Sequence, residues 1–245
     1  MYGAELADVY EAVYRSRGKD WNAEALFIAE LIRDRFPAAD SLLDVACGTG
    51  AHLAGFAKLF GRTEGLEYAE AMRAVAERRL PGVPLHAGDM RDFRLPARFD
   101  AVTCMFTAIS YAGTLAGMRA TVRCMAAHLV PGGVLVIEPW WFPEKFIDGY
   151  VSGEVVRDGD RTIARVSRST NESGVTRLEV RYVVASAAGI TQFTEVDRLA
   201  LFTLDEYLGA IEDAGCAAEF RPPDPSGRDA IVPAGRGLFV GVKRA

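Results

Sequence analysis

The chain has 245 residues, 50% of them hydrophobic and 25% charged, enough to bury a substantial core without splitting into independent domains. Its net charge of -5 gives no overall pull toward nucleic acid, and no window approaches 18 uninterrupted apolar residues, so no membrane span is expected. Cys47, Cys104, Cys124 and Cys216 show no metal-ligand spacing, and no basic segment followed by an apolar run opens the chain; free thiols and a cytoplasmic location are expected.

In chain order, the segment carrying Tyr10, Tyr14, Arg15, Arg17, Lys19 and Trp21 mixes aromatics with cations, as an amphipathic surface or a lid over a site would; its nearness to the turn described below favours the lid. Glu24 to Phe36 places Ala25, Ile28, Ala29, Ile32 and Phe36 on one helical face, with Pro37 just beyond, and reads as a covering helix. Leu42 to Val45 is a short apolar strand that enters a glycine-rich turn, followed by a helical segment from His52 to Phe60. Then come a strand from Arg62 to Leu66, a helix from Tyr68 to Arg79, a strand from Val83 to Ala87 and a loop at Gly88-Asp89-Met90. Phe99 to Cys104 makes a fourth strand, Leu115 to His128 a helix ended by Pro131-Gly132-Gly133, and Val134 to Ile137 a fifth strand that stops at Glu138. Regular βα alternation of this kind predicts a mostly parallel sheet with helices on both faces. Its crevice lies at the carboxyl ends of the strands, so Asp44, Glu67, Asp89, Thr107 to Tyr111 and Glu138 are predicted to share one rim.

After an aromatic, proline-broken loop from Pro139 to Pro143, the pattern changes to antiparallel strands near 155–157, 162–168, 176–184 and 191–201. Arg177, Glu179 and Arg181 alternate with Leu178, Val180 and Tyr182, one wet face and one buried. Such a layer either seals an edge of the fold or roofs the site and supplies a dimer surface; Trp140 and Trp141 at its base favour the second. A helix from Asp205 to Ala214 and a strand from Gly237 to Val242 close the chain. The predicted organisation is 1–40 lid and covering helix, 41–138 binding core, 139–201 antiparallel insertion, and 202–245 the return to the core.

The turn Asp44-Val45-Ala46-Cys47-Gly48-Thr49-Gly50 carries the first functional signal. Gly48 and Gly50 let the backbone approach a ligand, and the helix behind them points free amides at it. Glu67, about 20 residues on, stands where an open α/β sheet offers an acid to ribose hydroxyls. A dinucleotide fingerprint needs a third glycine, and Leu53 occupies that position. Asp44, an acid inside the turn, would repel a pyrophosphate and suits an amino-acid-bearing sulfonium better. A purely structural glycine turn is the alternative. His52, His86 and His128 are dispersed, which argues against a metal-dependent hydrolase or oxygenase; His128, near a helix end, is expected to be a cap or surface residue.

These motifs resemble those of class I S-adenosylmethionine-dependent methyltransferases, and more closely the TDP-aminodeoxysugar N,N-dimethyltransferases of macrolide-type biosynthesis. The resemblance runs nearly end to end through Arg17-Gly18-Lys19-Asp20, Leu43 to Gly50, Gly88 to Phe93, Glu138-Pro139-Trp140-Trp141-Phe142-Pro143 and Gly235 to Gly241. It implies a Rossmann-like sheet with an added antiparallel layer, S-adenosylmethionine as methyl donor, a TDP-linked amino sugar as acceptor, and a homodimer. Carried onto this sequence, the cofactor residues are Asp44, Ala46, Gly48, Gly50, Glu67, Tyr68, Asp89, Met90 and Met105, with Asp89 at the adenine amino group. Tyr14 and Tyr111 are the candidates to orient the amine or relay its proton, and Tyr14, Arg17, Glu138, Trp140, Arg228 and Arg236 the substrate contacts. The tail departs from the family pattern, because Asp229 to Ala234 intervene between Pro225-Ser226-Gly227-Arg228 and Arg236. Arg236 keeps the register into the last strand and is the first choice for the diphosphate; Arg228 is the second. O-methylation of a small natural-product intermediate, and a non-enzymatic dimer that keeps the fold, are the rival readings.

Overall fold

The computed structural model describes residues 3–223 and 236–244, so Arg228 lies outside the described residues. Among the described residues, eleven strands form two sheets. The first has seven strands: β1 (Ser41–Val45), β2 (Arg62–Glu67), β3 (Leu85–Ala87), β4 (Phe99–Cys104), β5 (Leu129–Ile137), β10 (Cys216–Arg221) and β11 (Leu238–Lys243), in the order β10-β11-β5-β4-β1-β2-β3. β1 to β5 pair in parallel, whereas β11 runs antiparallel to β5 and β10 antiparallel to β11. The second sheet is an antiparallel meander of β6 (Tyr150–Asp158), β7 (Arg161–Glu172), β8 (Val175–Ser186) and β9 (Gly189–Ala200).

Parallel strands buried on both faces need apolar residues pointing both ways. Leu42 and Leu43, neighbours on β1, are each 0% exposed because they enter different cores. One core lies under α5 (Leu115–Ala127) and α6 (Leu204–Asp213), with Leu43, Phe99, Val122, Met125 and Phe239. The other lies under α2 (Trp21–Arg33) with Ile28, Ile32, Leu42, Phe56 and Val240. β1 is flanked by β4 on one side and β2 on the other, the point at which strand order reverses, so a crevice opens at its carboxyl end. α3 (Ala51–Phe56) and α4 (Glu70–Arg79) follow the turns after β1 and β2.

The first helix, α1 (Ala4–Ser16), joins the two sheets. Leu6, Val9 and Val13 pack with Ala69 and Met72 of the core and with Val156, Ile163, Val180 and Tyr182 of the meander. Ion pairs hold this helix and the residue after it from several sides: Arg17, just past its end, to Glu154 on β6, Asp8 to Arg161 on β7, and Glu11 to Arg79 on α4 at 2.6 Å. Helix α2 begins at Trp21, earlier than the hydrophobic pattern indicates, because the Asp20 side chain accepts from the backbone amides of Asn22 and Ala23.

Two stretches differ from expectation. β10 has no strand signal in its alanine- and charge-bearing sequence; its pairing with β11 along six residue pairs, Cys216↔Lys243 to Arg221↔Leu238, makes it a strand. Pro131-Gly132-Gly133 does not delay β5, which starts at Leu129 and accommodates these residues as a register shift against β4.

Candidate active site

The turn after β1 is strained. Ala46, Gly48 and Gly50 take positive φ of 56°, 58° and 75°, an arrangement that glycine tolerates and alanine adopts at a cost. Gly50 ends the turn against α4: a Cβ there would lie 3.0 Å from the Cβ of Ala76. It closes the turn but does not line the crevice. Gly48 is open, since a Cβ built on it meets nothing within 4 Å and a side chain would project into the cavity. Its amide donates to Glu67 Oε2 at 2.8 Å, while the amide of Ala69 donates to Oε1 at 2.7 Å. One carboxylate thereby ties the turn after β1 to the turn after β2. Burial raises the Glu67 pKa, and those amides pull it back down.

The cavity over this turn has a volume of about 460 Å³. Asp44, Ala46, Gly48, Glu67, Tyr68, Asp89, Met90 and Met105 all line it, so of the residues expected to hold the cofactor only Gly50 stands aside. Open volume beside Gly48, acids at the ends of β1 and β2, and the apolar Met72, Met90 and Met105 fit a nucleoside that carries an amino-acid sulfonium. Asp89 is already engaged, accepting from the Arg91 Nε and backbone amide at 2.9 Å; that arginine holds its carboxyl below the usual range.

Asp44 belongs to β1 rather than to the turn itself; it is 2% exposed and accepts from the Thr103 hydroxyl at 2.8 Å. Burial pushes its pKa up to about 6, with His52 and Thr103 opposing. The sign follows from proton binding. Between the ordinary aspartate value of about 3.9 and about 6, the folded protein keeps a proton the unfolded chain has released, so stability falls by roughly 3 kcal/mol as pH rises through that window. Asp44→Asn is therefore expected to remove this fall and raise the Tm of the ligand-free protein at neutral pH and, on the expectation that its charge faces the amino-acid ammonium of the cofactor, to weaken S-adenosylhomocysteine binding about tenfold or more. Melting curves across pH and calorimetry check both halves; an unchanged pH slope of Tm would contradict the assignment.

A second cavity of about 510 Å³ lies beneath the meander. Cross-strand pairing places Tyr150, Ser169, Leu178 and Asp197 in one row on the inner face, and Glu154, Arg165, Tyr182 and Phe193 in another. The inner face is therefore apolar toward α1 and polar over the cavity. Tyr14, Arg17, Trp140 and Arg236, four of the residues expected to touch a substrate, line it. The Arg236 guanidinium lies 5.4 Å from the ring centroids of both Trp140 and Trp141. Arg236 Nε, Arg165 Nε and Trp140 Nε1 are buried donors without a hydrogen-bond partner, all on residues of this cavity. Buried donors of this kind are costly unless something fills their place.

Glu138 differs from its expected place on the rim. At 1% exposure it lines neither cavity; its Oε2 accepts from the Phe106 amide at 2.7 Å, and its Oε1 lies 3.9 Å from Arg236 Nη2. The end of β5 runs beneath the turn after β4, where Phe106 and Thr107 hold positive φ of 52° and 66°, and the carboxylate braces that strained turn from below. Phe106 in turn packs edge-on against Tyr14 at 4.8 Å. His128 is a cap but not a surface residue: at 4% exposure, Nδ1 donates to the Cys124 carbonyl and Nε2 accepts from the Leu95 amide. His52 and His86 are occupied by Glu24 and Glu64, each at 2.7 Å.

Tyr10, Phe106, Tyr111 and Asp197 line both cavities, so the two meet at these side chains. Asp197 and Arg165 went unnoticed in the sequence. Their signal was a charge at the inward phase of an alternating strand, in register with Leu178 and Tyr182.

The reversal of strand order, the acid-rimmed glycine turn and the antiparallel layer define a class I methyltransferase. A model of the methyltransferase domain matches residues 42–133. The dTDP-4-amino-2,3,4,6-tetradeoxy-D-glucose N,N-dimethyltransferase of Saccharopolyspora spinosa is 51% identical over 243 residues, 99% of this chain and 94% of that protein. The dTDP-3-amino-3,4,6-trideoxy-alpha-D-glucopyranose N,N-dimethyltransferase of Streptomyces venezuelae is also 51% identical, with 99% of each chain covered. Among solved structures, an S-adenosylmethionine-bound amino pentose methyltransferase from Micromonospora echinaspora is 56% identical, with a TM-score of 0.86 and 96% of each chain covered. The chain belongs to the family of the dTDP-aminosugar N,N-dimethyltransferases.

Proposed function

We propose that the protein transfers methyl groups, in two successive rounds, from S-adenosylmethionine to the amino group of a dTDP-linked aminodeoxysugar. The observation that carries this reading is the meeting of the cavity over the glycine turn with a second cavity whose buried arginine and tryptophan donors lack partners. The guanidinium fork of Arg236 matches the oxygens of a diphosphate, and Arg165 brings a second buried cation to the same chamber. Bound at the glycine turn, the cofactor supplies an electrophilic methyl on a sulfonium. The protein's part is to hold the acceptor nitrogen in line with that methyl and to keep its lone pair free. An amine needs less activation than a hydroxyl, and among the described residues no histidine lines the acceptor cavity. Calorimetry with S-adenosylhomocysteine and with NAD tests the cofactor side: binding of the first and no response to the second is expected, and the reverse would overturn the reading.

Tyr14 orients the amine in this account. Its ring is fixed by Tyr10 and Phe106, each at 4.8 Å, and burial raises the phenol pKa so that the hydroxyl stays neutral. Tyr14→Phe keeps those ring contacts and deletes one neutral hydrogen bond, so kcat is expected to fall roughly 2- to 10-fold with S-adenosylhomocysteine affinity unchanged. Steady-state kinetics alongside calorimetry would contradict this if the whole loss fell on cofactor binding.

The working unit proposed here is a homodimer. The outer face of the meander exposes Val151 (67%), Val155 (71%), Val166 (55%), Val183 (39%) and Ile190 (74%), an apolar surface that a second copy would cover. A cytoplasmic setting is supported by the four free cysteines. Among the described residues no helix is long and apolar enough to cross a membrane.

A further inference from the structure

Asp197 stands where the two cavities join, on β9 of the inserted meander and far in sequence from the glycine turn. It shares a cross-strand row with Leu178, whose neighbours Val180 and Tyr182 are 3% and 4% exposed, so it occupies the inward phase of the strand. Asp44, Glu67 and Asp89 line the first cavity alone; among the described residues Asp197 is the carboxylate that reaches the second. The Tyr111 hydroxyl donates to it. A carboxylate has room for about four hydrogen bonds, so the Tyr111 bond does not exhaust its acceptor capacity.

The groups around it are varied. Arg165 acts on it from β7, Tyr14 faces it from α1, Tyr182 from β8 and Glu195 from the same strand. Burial raises the Asp197 pKa above the ordinary carboxylate value, while the Tyr111 hydrogen bond and Arg165 draw it down. A carboxylate at this junction can bind a cation and accept its proton. Tyr10 and Phe106 complete the junction and present aromatic rings, so a cationic amine that arrives there meets one anionic partner.

Resting on the N-methylation reading, we propose that Asp197 receives the acceptor's amino group: it binds the ammonium form and takes a proton from it, with Tyr111 holding the carboxylate in place. The ammonium N–H bond breaks and its proton passes to the carboxylate oxygen, which leaves the nitrogen lone pair free. That pair forms the new N–C bond as the C–S bond breaks and its electrons return to sulfur. The product is a methylated ammonium, and the carboxylic acid releases its proton to solvent through the open cavity before the second round repeats the exchange. Each transfer thus releases one proton.

Asp197→Asn keeps shape and hydrogen bonding but loses the charge and the proton acceptor. With S-adenosylhomocysteine bound, its affinity for the dTDP-amino sugar is expected to fall about 10- to 100-fold, while affinity for the matching hydroxyl sugar is unchanged. Its kcat/KM is expected to drop about 100-fold near pH 7 and to recover toward wild type at alkaline pH, where the free amine is already neutral. Tyr111→Phe supplies the second reading. Without the hydrogen bond that lowers the Asp197 pKa, the acid limb of kcat/KM moves to higher pH. A wild-type circular dichroism spectrum and a cooperative melt show that Asp197→Asn is folded; if it is not, the Tyr111→Phe profile alone decides. Unchanged amine affinity and pH profile in Asp197→Asn, or an unmoved limb in Tyr111→Phe, overturns the proposal. A wild-type enzyme that methylates no amino sugar fails the function reading instead.

Discussion

Truncating Arg236 to alanine is expected to weaken binding of the dTDP-amino sugar by roughly 10- to 150-fold, which corresponds to loss of a charge-assisted contact worth about 1.5 to 3 kcal/mol. Arg236 is 8% exposed and held over Trp140 and Trp141, so its position is set before any substrate arrives, and its Nε lacks a partner. S-adenosylhomocysteine affinity should hold, because Arg236 lines only the acceptor cavity. Arg236→Lys is expected to fall between the two. It keeps a cation beside the buried Glu138 but loses the planar fork and its seat on the tryptophans. If Arg236→Ala binds the nucleotide sugar normally and Arg228→Ala does not, the longer tail carries the diphosphate contact.

Glu67→Ala is expected to lose at least about 100-fold in S-adenosylhomocysteine affinity, because the charged acceptor expected at two ribose hydroxyls disappears and each such bond is worth about 1.5 to 3 kcal/mol. The loss extends to the turn, since the amides of Gly48 and Ala69 lose their shared acceptor. Glu67→Gln keeps one carbonyl oxygen for one of those amides and should recover part of the affinity. The nucleotide-sugar affinity should stay near wild type in both, as Glu67 does not line the acceptor cavity. Calorimetry on the variants separates the outcomes; an S-adenosylhomocysteine affinity for Glu67→Ala within about threefold of wild type would contradict the role assigned to this carboxylate.

The lining of the cavity over the glycine turn was legible because its parts are local in the chain. Strand, glycine turn, helix and an acid at the next strand's end lie in one stretch of chain, and the structure puts Asp44, Gly48 and Glu67 on one cavity. The acceptor half depends on register between distant strands. Arg165 meets Tyr182, and Asp197 meets Leu178, only after the meander has paired. Glu138 shows the limit of reading a rim from strand ends: β5 does end there, but the strained turn at Phe106 covers its last carboxylate. β10 was illegible for a related reason, since its neighbour β11 supplies the pairing that its own sequence does not announce. Side-chain alternation gave the two faces of the meander, yet it did not reveal that the inner face carries Arg165, Ser167 and Asp197 over a cavity.

The most direct measurement is mass spectrometry of the products formed with S-adenosylmethionine and a panel of dTDP-linked 3-amino and 4-amino sugars, each beside its hydroxyl analogue. At least one amino sugar is expected to gain first one and then two methyl groups while its hydroxyl analogue gains none; methylation of the hydroxyl analogues alone would overturn the assignment of nitrogen as the acceptor.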